Sequence, residues 1–174
     1  MSALPSAEPR GADAARVLTP MTAADVDAVM AIEAGVYAFP WTRGNFIDSL
    51  AAGYIAELLR LAAHAPPIGY FVAMAGVDET HLLNITVAAP HRRQGHARFM
   101  MARLIAQCRR ADSHRLWLEV RESNAAARAA YGRLGFHERG TRPGYYPAAH
   151  GQRESAVVMS LSLESDRQAS DALD

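Results

Sequence analysis

Val87-Ala-Ala-Pro-His-Arg-Arg-Gln-Gly-His-Ala-Arg98 joins an apolar, strand-like run to a long amphipathic segment, and its reading decides the fold. A strand ends here, the chain turns, and the small residues Gly95 and Ala97 open a helix. The first backbone N–H groups of a helix have no partner within it. Together with the positive end of the helix dipole they make a ready seat for phosphate or diphosphate. Small side chains are needed because the ligand must reach the backbone itself. The same residues also fit an ordinary helix start with a solvated basic face. A nucleotide P-loop fits less well, because the Gly-Lys-(Ser/Thr) ending that holds phosphate and Mg²⁺ is missing.

The 174 residues fit one domain with a substantial core. Half are apolar and the formal charge is zero, the balance of an ordinary globular chain. A neutral chain lacks the excess positive charge with which general nucleic-acid binders displace counterions. Charge is nevertheless uneven: between Pro90 and Arg115 stand Arg92, Arg93, Arg98, Arg103, Arg109, Arg110 and Arg115 against a single acid, Asp112. That surplus suits a compact polyphosphate better than a polynucleotide track. All 18 basic residues are Arg, so a Lys nucleophile or Schiff base is excluded. The one cysteine, Cys108, rules out an intramolecular disulfide and a cysteine-rich zinc site. At helical spacing with Met101, Leu104 and Ile105, it reads as a buried thiol rather than a nucleophile. The seven histidines show no zinc-site spacing and are expected on the surface or in loops, so no metal is expected. No apolar run approaches ~18 residues and the N-terminus has no apolar targeting core, so a cytoplasmic protein without membrane contact is expected.

Residues 1–15 mix Ala, Pro, Ser, Glu and Arg without periodicity and read as a flexible tail, as do the polar residues 165–174. Between them, residues 16–164 read as one αβ domain without internal repeats. Strands are expected at 16–18, 54–61, 68–76, 81–87 and 115–121, with 136–141 and 156–163 as a closing antiparallel pair. One helix is expected after Thr22, with Val26, Val29, Met30 and Glu33 at its spacing, and a second from Thr42 to Leu50 beyond the Phe39-Pro-Trp41 break. Two more are expected over 95–111 and from Asn124 to Leu134, the last ending on a left-handed Gly135. This order predicts a mixed sheet with helices on both faces. The crossover through the 95–111 helix makes 81–87 and 115–121 parallel neighbours. Ligands gather beyond the carboxyl ends of such strands.

Within Leu116-Trp-Leu-Glu-Val-Arg121, strand alternation puts Leu116, Leu118 and Val120 on one face and Trp117, Glu119 and Arg121 on the other. Glu119 is then a carboxylate in the middle of a strand expected to lie mostly under helices. Burial unpaired is costly, so it must meet Arg121 or another Arg, a backbone donor, water or a substrate. Seven residues, about two helical turns, separate Asn124 from Tyr131 and place both on one helix face. The Ala-rich stretch between them leaves that face low enough for a slender ligand. Asn124 is also a natural helix cap, and Tyr131 a natural core aromatic.

Taken together, these pieces resemble a known family. Arg92-x-x-Gly95-x-Ala97 resembles the (Gln/Arg)-x-x-Gly-x-(Gly/Ala) signature with which GCN5-related N-acetyltransferases hold the diphosphate of acetyl-coenzyme A. Leu116-Trp-Leu-Glu-Val-Arg-x-Ser-Asn-x-x-Ala-x-x-x-Tyr131-x-x-Leu-Gly-Phe136 is similar to the region after the coenzyme-binding helix in bacterial RimI-type ribosomal-protein-alanine N-acetyltransferases. Ala38-Phe-Pro-Trp41, Leu83-Asn-Ile-Thr-Val87 and Tyr145-Tyr-Pro147 agree, so the resemblance runs in order over residues 17–163. It implies an α/β (α+β) fold: a single N-acetyltransferase domain with a mixed, mostly antiparallel sheet, helices on both faces, and a parallel strand pair splayed around acetyl-coenzyme A.

The resemblance also implies roles. The backbone of Ile85, Thr86 and Val87 would bond the pantetheine arm and orient the acetyl carbonyl. The backbone amides of Arg93, Gln94, Gly95, His96, Ala97 and Arg98 would hold the diphosphate, and Asn124 would contact the pantetheine. Glu119 would be the general base and Tyr131 the general acid, with Phe39, Trp41, Tyr145 and Tyr146 around the substrate's entry. Ala97 stands where a second Gly is commoner. Gly144 stands where the family often has a polar residue before Tyr-Tyr-Pro, which bears on substrate selection.

Acetyl transfer to an amine needs a neutral amine, a polarised thioester and a protonated leaving thiolate. An α-amine, with a pKa of about 7.7–8, is far closer to neutral at pH 7 than a Lys amine at about 10.4. A carboxylate can remove the remaining proton, directly or through water, and positioned acid–base groups contribute roughly 10²–10⁴-fold. Backbone N–H groups at the end of the 83–87 strand can stabilise an oxyanion. A phenol near pKa 10 lies close enough to a thiol near 8.5 to protonate its thiolate. The expected function is acetyl-coenzyme A-dependent Nα-acetylation of a protein N-terminus, by resemblance that of a small-subunit ribosomal protein beginning with alanine. The peptide is then the partner, without nucleic acid or membrane. Broader N-termini, Lys side chains or small amines are the alternatives within the class. Outside it stand a coenzyme-binding module without catalysis and a basic nucleic-acid module. A pure binder needs neither Glu119 nor Tyr131, and the Arg cluster lacks interleaved aromatics beyond Phe99.

Overall fold

The strand, turn and helix expected around Gly95 are present in the computed structural model, which describes residues 16–164. The expected tails, 1–15 and 165–174, lie outside the described residues. The strands are β1 Val17–Pro20, β2 Ile55–Arg60, β3 Gly69–Ala75, β4 Glu79–Val87, β5 Arg115–Arg121, β6 His137–Pro147 and β7 Arg153–Ser162. They form one sheet in the order β1-β2-β3-β4-β5-β7-β6. The α-helices among the described residues are α1 Val26–Ala34, α2 Arg43–Ala51, α3 His96–Arg110 and α4 Ala125–Arg133. As expected, β4 and β5 run parallel, and the other neighbours are antiparallel.

Local chemistry accounts for the helix starts. Thr42 Oγ1 accepts from the Asn45 N–H at 3.3 Å while the Asn45 side chain accepts from the Thr42 N–H at 2.8 Å, so two orphan donors of α2 are satisfied reciprocally. Ahead of α1, Asp25 closes a short 3₁₀ turn by accepting from both the N–H and the hydroxyl of Thr22, at 2.9 and 2.8 Å. Strand alternation then divides the core in two. Tyr70 and Val72 of β3 pack with Val26, Val29, Phe46 and Leu58 beneath α1 and α2. Phe71 and Ala73 face the other way, onto Met100, Met101, Leu104, Leu116 and Leu118 beneath α3. Cys108 is buried in that second core, and burial pushes its thiol pKa up, as befits an inert packing residue.

Two expectations need correction. First, β6 does not end near residue 141. Its pairing with β7 slips after Arg142 and resumes at Tyr146↔Glu154, so Pro143 and Gly144 form a bulge. On an edge strand the missing proline N–H breaks no ladder bond, and the bulge carries Tyr145 and Tyr146 on as strand residues. Second, β5 is covered by helix on one face only. Leu116, Leu118 and Val120 are buried, but Trp117, Glu119 and Arg121 are only half-buried. The core under α1 and α2 reaches β2 and β3 and leaves that face of β5 open.

The site is created by an interruption in the sheet. β4 and β5 pair only from Glu79↔Arg115 to Leu82↔Leu118. Beyond that point β4 stays with β3 as far as Val87↔Gly69, and β5 stays with β7 as far as Arg121↔Ala156. Leu83 is the extra residue where Leu82 and Asn84 oppose the adjacent Ala73 and Val72, and such a bulge re-aims the strand. The two strands part, and a cleft opens at their carboxyl ends, where ligands of open sheets collect.

Candidate active site

The cleft leads into a cavity of about 350 Å³. Among the residues singled out from the sequence, Phe39, Trp41, Ile85, Glu119, Asn124, Tyr131 and Tyr146 line it together. Thr86 and Val87 continue β4 beyond it, on the stretch that has no β5 partner. Tyr145 stands outside the wall, 41% exposed, where burial and the neighbouring Glu119 carboxylate raise its pKa. The stretch from Arg93 to Arg98 forms the turn into α3 and its first residues, apart from the cavity wall.

Glu119 has an arginine partner, and it is Arg142 of β6: Arg142 Nη1 donates to Glu119 Oε1. Arg121, two residues along β5, is engaged elsewhere. Its Nη1 donates to Glu154 Oε2 at 3.1 Å and to the Pro147 carbonyl at 3.0 Å, and its guanidinium lies 4.6 Å from the Tyr146 ring centre. The Ser123 N–H also donates to Glu154, at 2.7 Å, so the turn from β5 into α4 is tied to the β6–β7 hairpin.

Asn124 serves as the N-cap of α4, its Oδ1 accepting from the Ala127 N–H at 3.1 Å. It also lines the cavity, so its NH₂ is the group it can offer a ligand. Two turns on, Tyr131 lies on the same face, with its ring 5.7 Å from Phe136. Burial, reinforced by the nearby Tyr37, pushes its pKa up to about 12. That corrects the close phenol–thiol match expected from sequence: an ordinary thiol sits near 8.5, roughly three units lower.

The α3 turn has the geometry of an anion seat. Arg93 and Gly95 both adopt left-handed backbone, at φ +61° and +79°. Glycine does so at no steric cost. Residues of this kind curl neighbouring N–H groups toward a common side. Arg92 Nε donates to the Val87 carbonyl at 3.3 Å and ties the turn to the end of β4.

His96 departs from the surface placement expected for the histidines. It is buried, and neither ring nitrogen has a hydrogen-bond partner. Desolvation first, then the charges of Arg16 and His91, lower its pKa. The unfolded chain therefore takes up the proton first, and this group's contribution to stability is lost as pH falls below the ordinary imidazole value of about 6.5. His96→Leu should remove two unsatisfied polar atoms and raise Tm by about 2–4 °C at pH 7. Thermal melts should show that margin widening toward pH 5.5; a margin independent of pH would remove His96 from the acid sensitivity.

Sequence reasoning passed over Glu33, Tyr37 and Asn84, which also line the cavity, and Arg142. One signal was present: Glu33 occupies a helix position whose spacing is otherwise apolar. It is 1% exposed and accepts from the Trp41 N–H, the Tyr70 hydroxyl and the Asn84 amide. No local pattern marks the partnership of Arg142 with Glu119. Among the described residues no group of His, Cys, Asp and Glu is arranged to hold a metal ion, and no helix is long and apolar enough to cross a membrane.

Residues 28–136 match the profile described as the Acetyltransferase (GNAT) family. Over 139 residues the chain is 36% identical to the ribosomal protein bS18-alanine N-acetyltransferase of Escherichia coli strain K12, covering 80% of this chain and 92% of that one. It is 33% identical over 147 residues to the protein of the same name from Haemophilus influenzae, covering 84% and 99%. The crystal structure of the ribosomal-protein-S18-alanine N-acetyltransferase from Escherichia coli superposes with a TM-score of 0.79 at 33% identity, covering 86% of this chain and 95% of that one. An open seven-stranded sheet, a parted parallel strand pair and a left-handed glycine before α3 thus coincide with similarity along most of the chain: it belongs to the acetyltransferase (GNAT) family.

Proposed function

We propose that this protein transfers the acetyl group of acetyl-coenzyme A to the α-amine of an N-terminal alanine on ribosomal protein bS18, without a covalent enzyme intermediate. The observation that carries the reading is the meeting of Glu119 and Tyr131, from β5 and α4, in one cavity at the parting of β4 and β5. Its support in sequence is the similarity to the relatives that bear this activity in their names.

The residues present fit the coenzyme. The left-handed Arg93 and Gly95 and the first N–H groups of α3 would seat the diphosphate, and the unpaired edge of β4 from Ile85 to Val87 would take the pantetheine arm. When bound, the coenzyme supplies a thioester carbonyl and a thiolate leaving group. Asn124 would orient the arm with its NH₂. Phe39, Trp41 and Tyr146 would flank the incoming peptide, with Tyr145 at the rim.

Glu119 would accept the proton of the α-ammonium, either after that cation displaces Arg142 or through an intervening water. Tyr131, held protonated at every working pH, would donate its O–H to the sulfur. A complete transfer from the free phenol to a thiolate is uphill by about three units, so the hydrogen bond comes first and the proton follows only as charge builds.

The test is direct. The enzyme and acetyl-coenzyme A are incubated with a peptide bearing the N-terminal sequence of bS18, and with the same peptide blocked at its α-amine and carrying an added Lys. Mass spectrometry should find one acetyl group on the free α-amine and none on the blocked peptide. Acetylation of the Lys peptide alone would overturn the Nα reading. Coenzyme binding without transfer to any amine would leave only a binding module.

A further inference from the structure

We propose that Glu33 is a positioning residue that holds the connection between α1 and α2, residues 35–42, in its acceptor-binding shape. The inference rests on the reading that the cavity receives a peptide amine. Glu33 sits in the last turn of α1, where spacing assigns it to the core beside Val26 and Val29. A carboxylate so buried is costly unless its oxygens are hydrogen-bonded.

Donors from three places meet it. The Trp41 N–H donates to Oε1 at 2.8 Å, the Tyr70 hydroxyl of β3 donates to Oε2, and Asn84 Nδ2 of β4 reaches both oxygens at 3.3–3.4 Å. The network continues along the cavity. Thr86 donates to Asn84 Oδ1 at 2.8 Å, and the Tyr37 hydroxyl lies 3.0 Å from Thr86 Oγ1. Tyr37 and Trp41 are thus held from opposite ends of one buried network, and Phe39, 45% exposed, is carried between them over the cavity.

Tyr70, Asn84 and Thr86 are already fixed by the sheet. Trp41 belongs to neither helix nor strand, so the bond from its N–H ties the far end of the loop to Glu33, as the Tyr37 hydroxyl ties the near end to Thr86. Releasing it should weaken acceptor binding while leaving the coenzyme seat and the proton transfers in place.

Two substitutions in the full chain separate reach from charge. Glu33→Asp keeps the charge but falls one methylene short of the Trp41 N–H. Glu33→Gln keeps the length and a carbonyl oxygen for the Trp41 and Asn84 donors, and the Tyr70 hydroxyl can turn to accept from the new NH₂. With the N-terminal peptide as acceptor, Glu33→Asp should raise KM about tenfold while kcat and calorimetric affinity for acetyl-coenzyme A stay within about threefold. Glu33→Gln should recover most of that loss.

A merely structural role would lower the active fraction, hence kcat and binding stoichiometry, with KM unmoved. That result overturns the proposal, as does Glu33→Gln proving more damaging than Glu33→Asp, which would mean that the charge acts on the ammonium. Hydrogen exchange on the wild type needs no variant: the Trp41 amide should exchange at least about tenfold more slowly than the Phe39 amide, and equal rates overturn the proposal. A wild type that acetylates no peptide amine defeats the functional reading itself. A wild type that does, paired with a Glu33→Asp variant of unchanged KM, defeats the positioning role alone.

Discussion

Glu119→Gln is expected to lower kcat/KM for a peptide amine by about 10²-fold at pH 7, a loss that shrinks to about tenfold by pH 9. The amide matches the carboxylate in shape but cannot take a proton. An α-amine with a pKa of about 7.7–8 is neutral in roughly a tenth to a fifth of copies at pH 7 and in most copies at pH 9. The variant therefore regains, as pH rises, the part of the loss that came from deprotonating the nucleophile. The part that remains at pH 9 measures the need for a proton acceptor after the amine has bonded to carbon. Initial rates across pH 6.5–9.5 (about the range over which the amine titrates) at subsaturating peptide give the profile. A loss that does not change with pH would mean that Glu119 does not deprotonate the incoming ammonium, and acts by positioning the peptide or only after the amine has bonded. Its ion pair with Arg142 makes the positioning alternative concrete, because Gln would also loosen the hold on Arg142 by removing the charge.

Tyr131→Phe should fold, bind acetyl-coenzyme A with unchanged affinity, and turn over roughly tenfold to a hundredfold more slowly. That is the range set by losing one hydrogen bond of about 1.5–3 kcal/mol to a developing charge. The ring and its packing on Phe136 are kept, so the change isolates the hydroxyl. Because burial and the nearby Tyr37 hold this phenol's pKa at about 12, the wild-type rate should show no alkaline fall from Tyr131 below pH ~11. Steady-state kinetics at saturating peptide, with calorimetry of the coenzyme, separate the two effects. Wild-type turnover in Tyr131→Phe would remove the phenol from the chemistry. A matching drop in coenzyme affinity would reassign it to binding.

Much of this site was legible in the chain. The alternation of Leu116, Leu118 and Val120 with Trp117, Glu119 and Arg121 is the alternation observed, and Asn124 and Tyr131 share a helix face as their spacing requires. Those relations span a few residues and follow from periods of two and 3.6. The expected strands were misjudged where a local rule was overruled. The closing strand was expected to end at residue 141, yet pairing with β7 resumes at Tyr146 beyond the bulge and brings Tyr145 and Tyr146 near Glu119. His96, polar and next to a solvated turn, looked like a surface residue. Its spacing with Met100, Leu104 and Cys108 puts it on the buried face of α3, a signal that its polarity masked.

The chain by itself determined the order of elements, the parallel pairing of β4 with β5, the turn at Gly95 that opens a helix and the side of β5 on which Glu119 lies. Each depends on backbone sterics and on apolar periodicity among neighbours. Only the tertiary structure decided that β4 and β5 part after Leu82↔Leu118, that Arg142 rather than Arg121 meets Glu119, and that Glu33 anchors the loop over the cavity. Arg142 is 23 residues from Glu119, and Asn84 is 51 from Glu33. The choice of an electrostatic partner turns on distances of a few ångströms between side chains so separated, and packing of the whole sheet sets those distances.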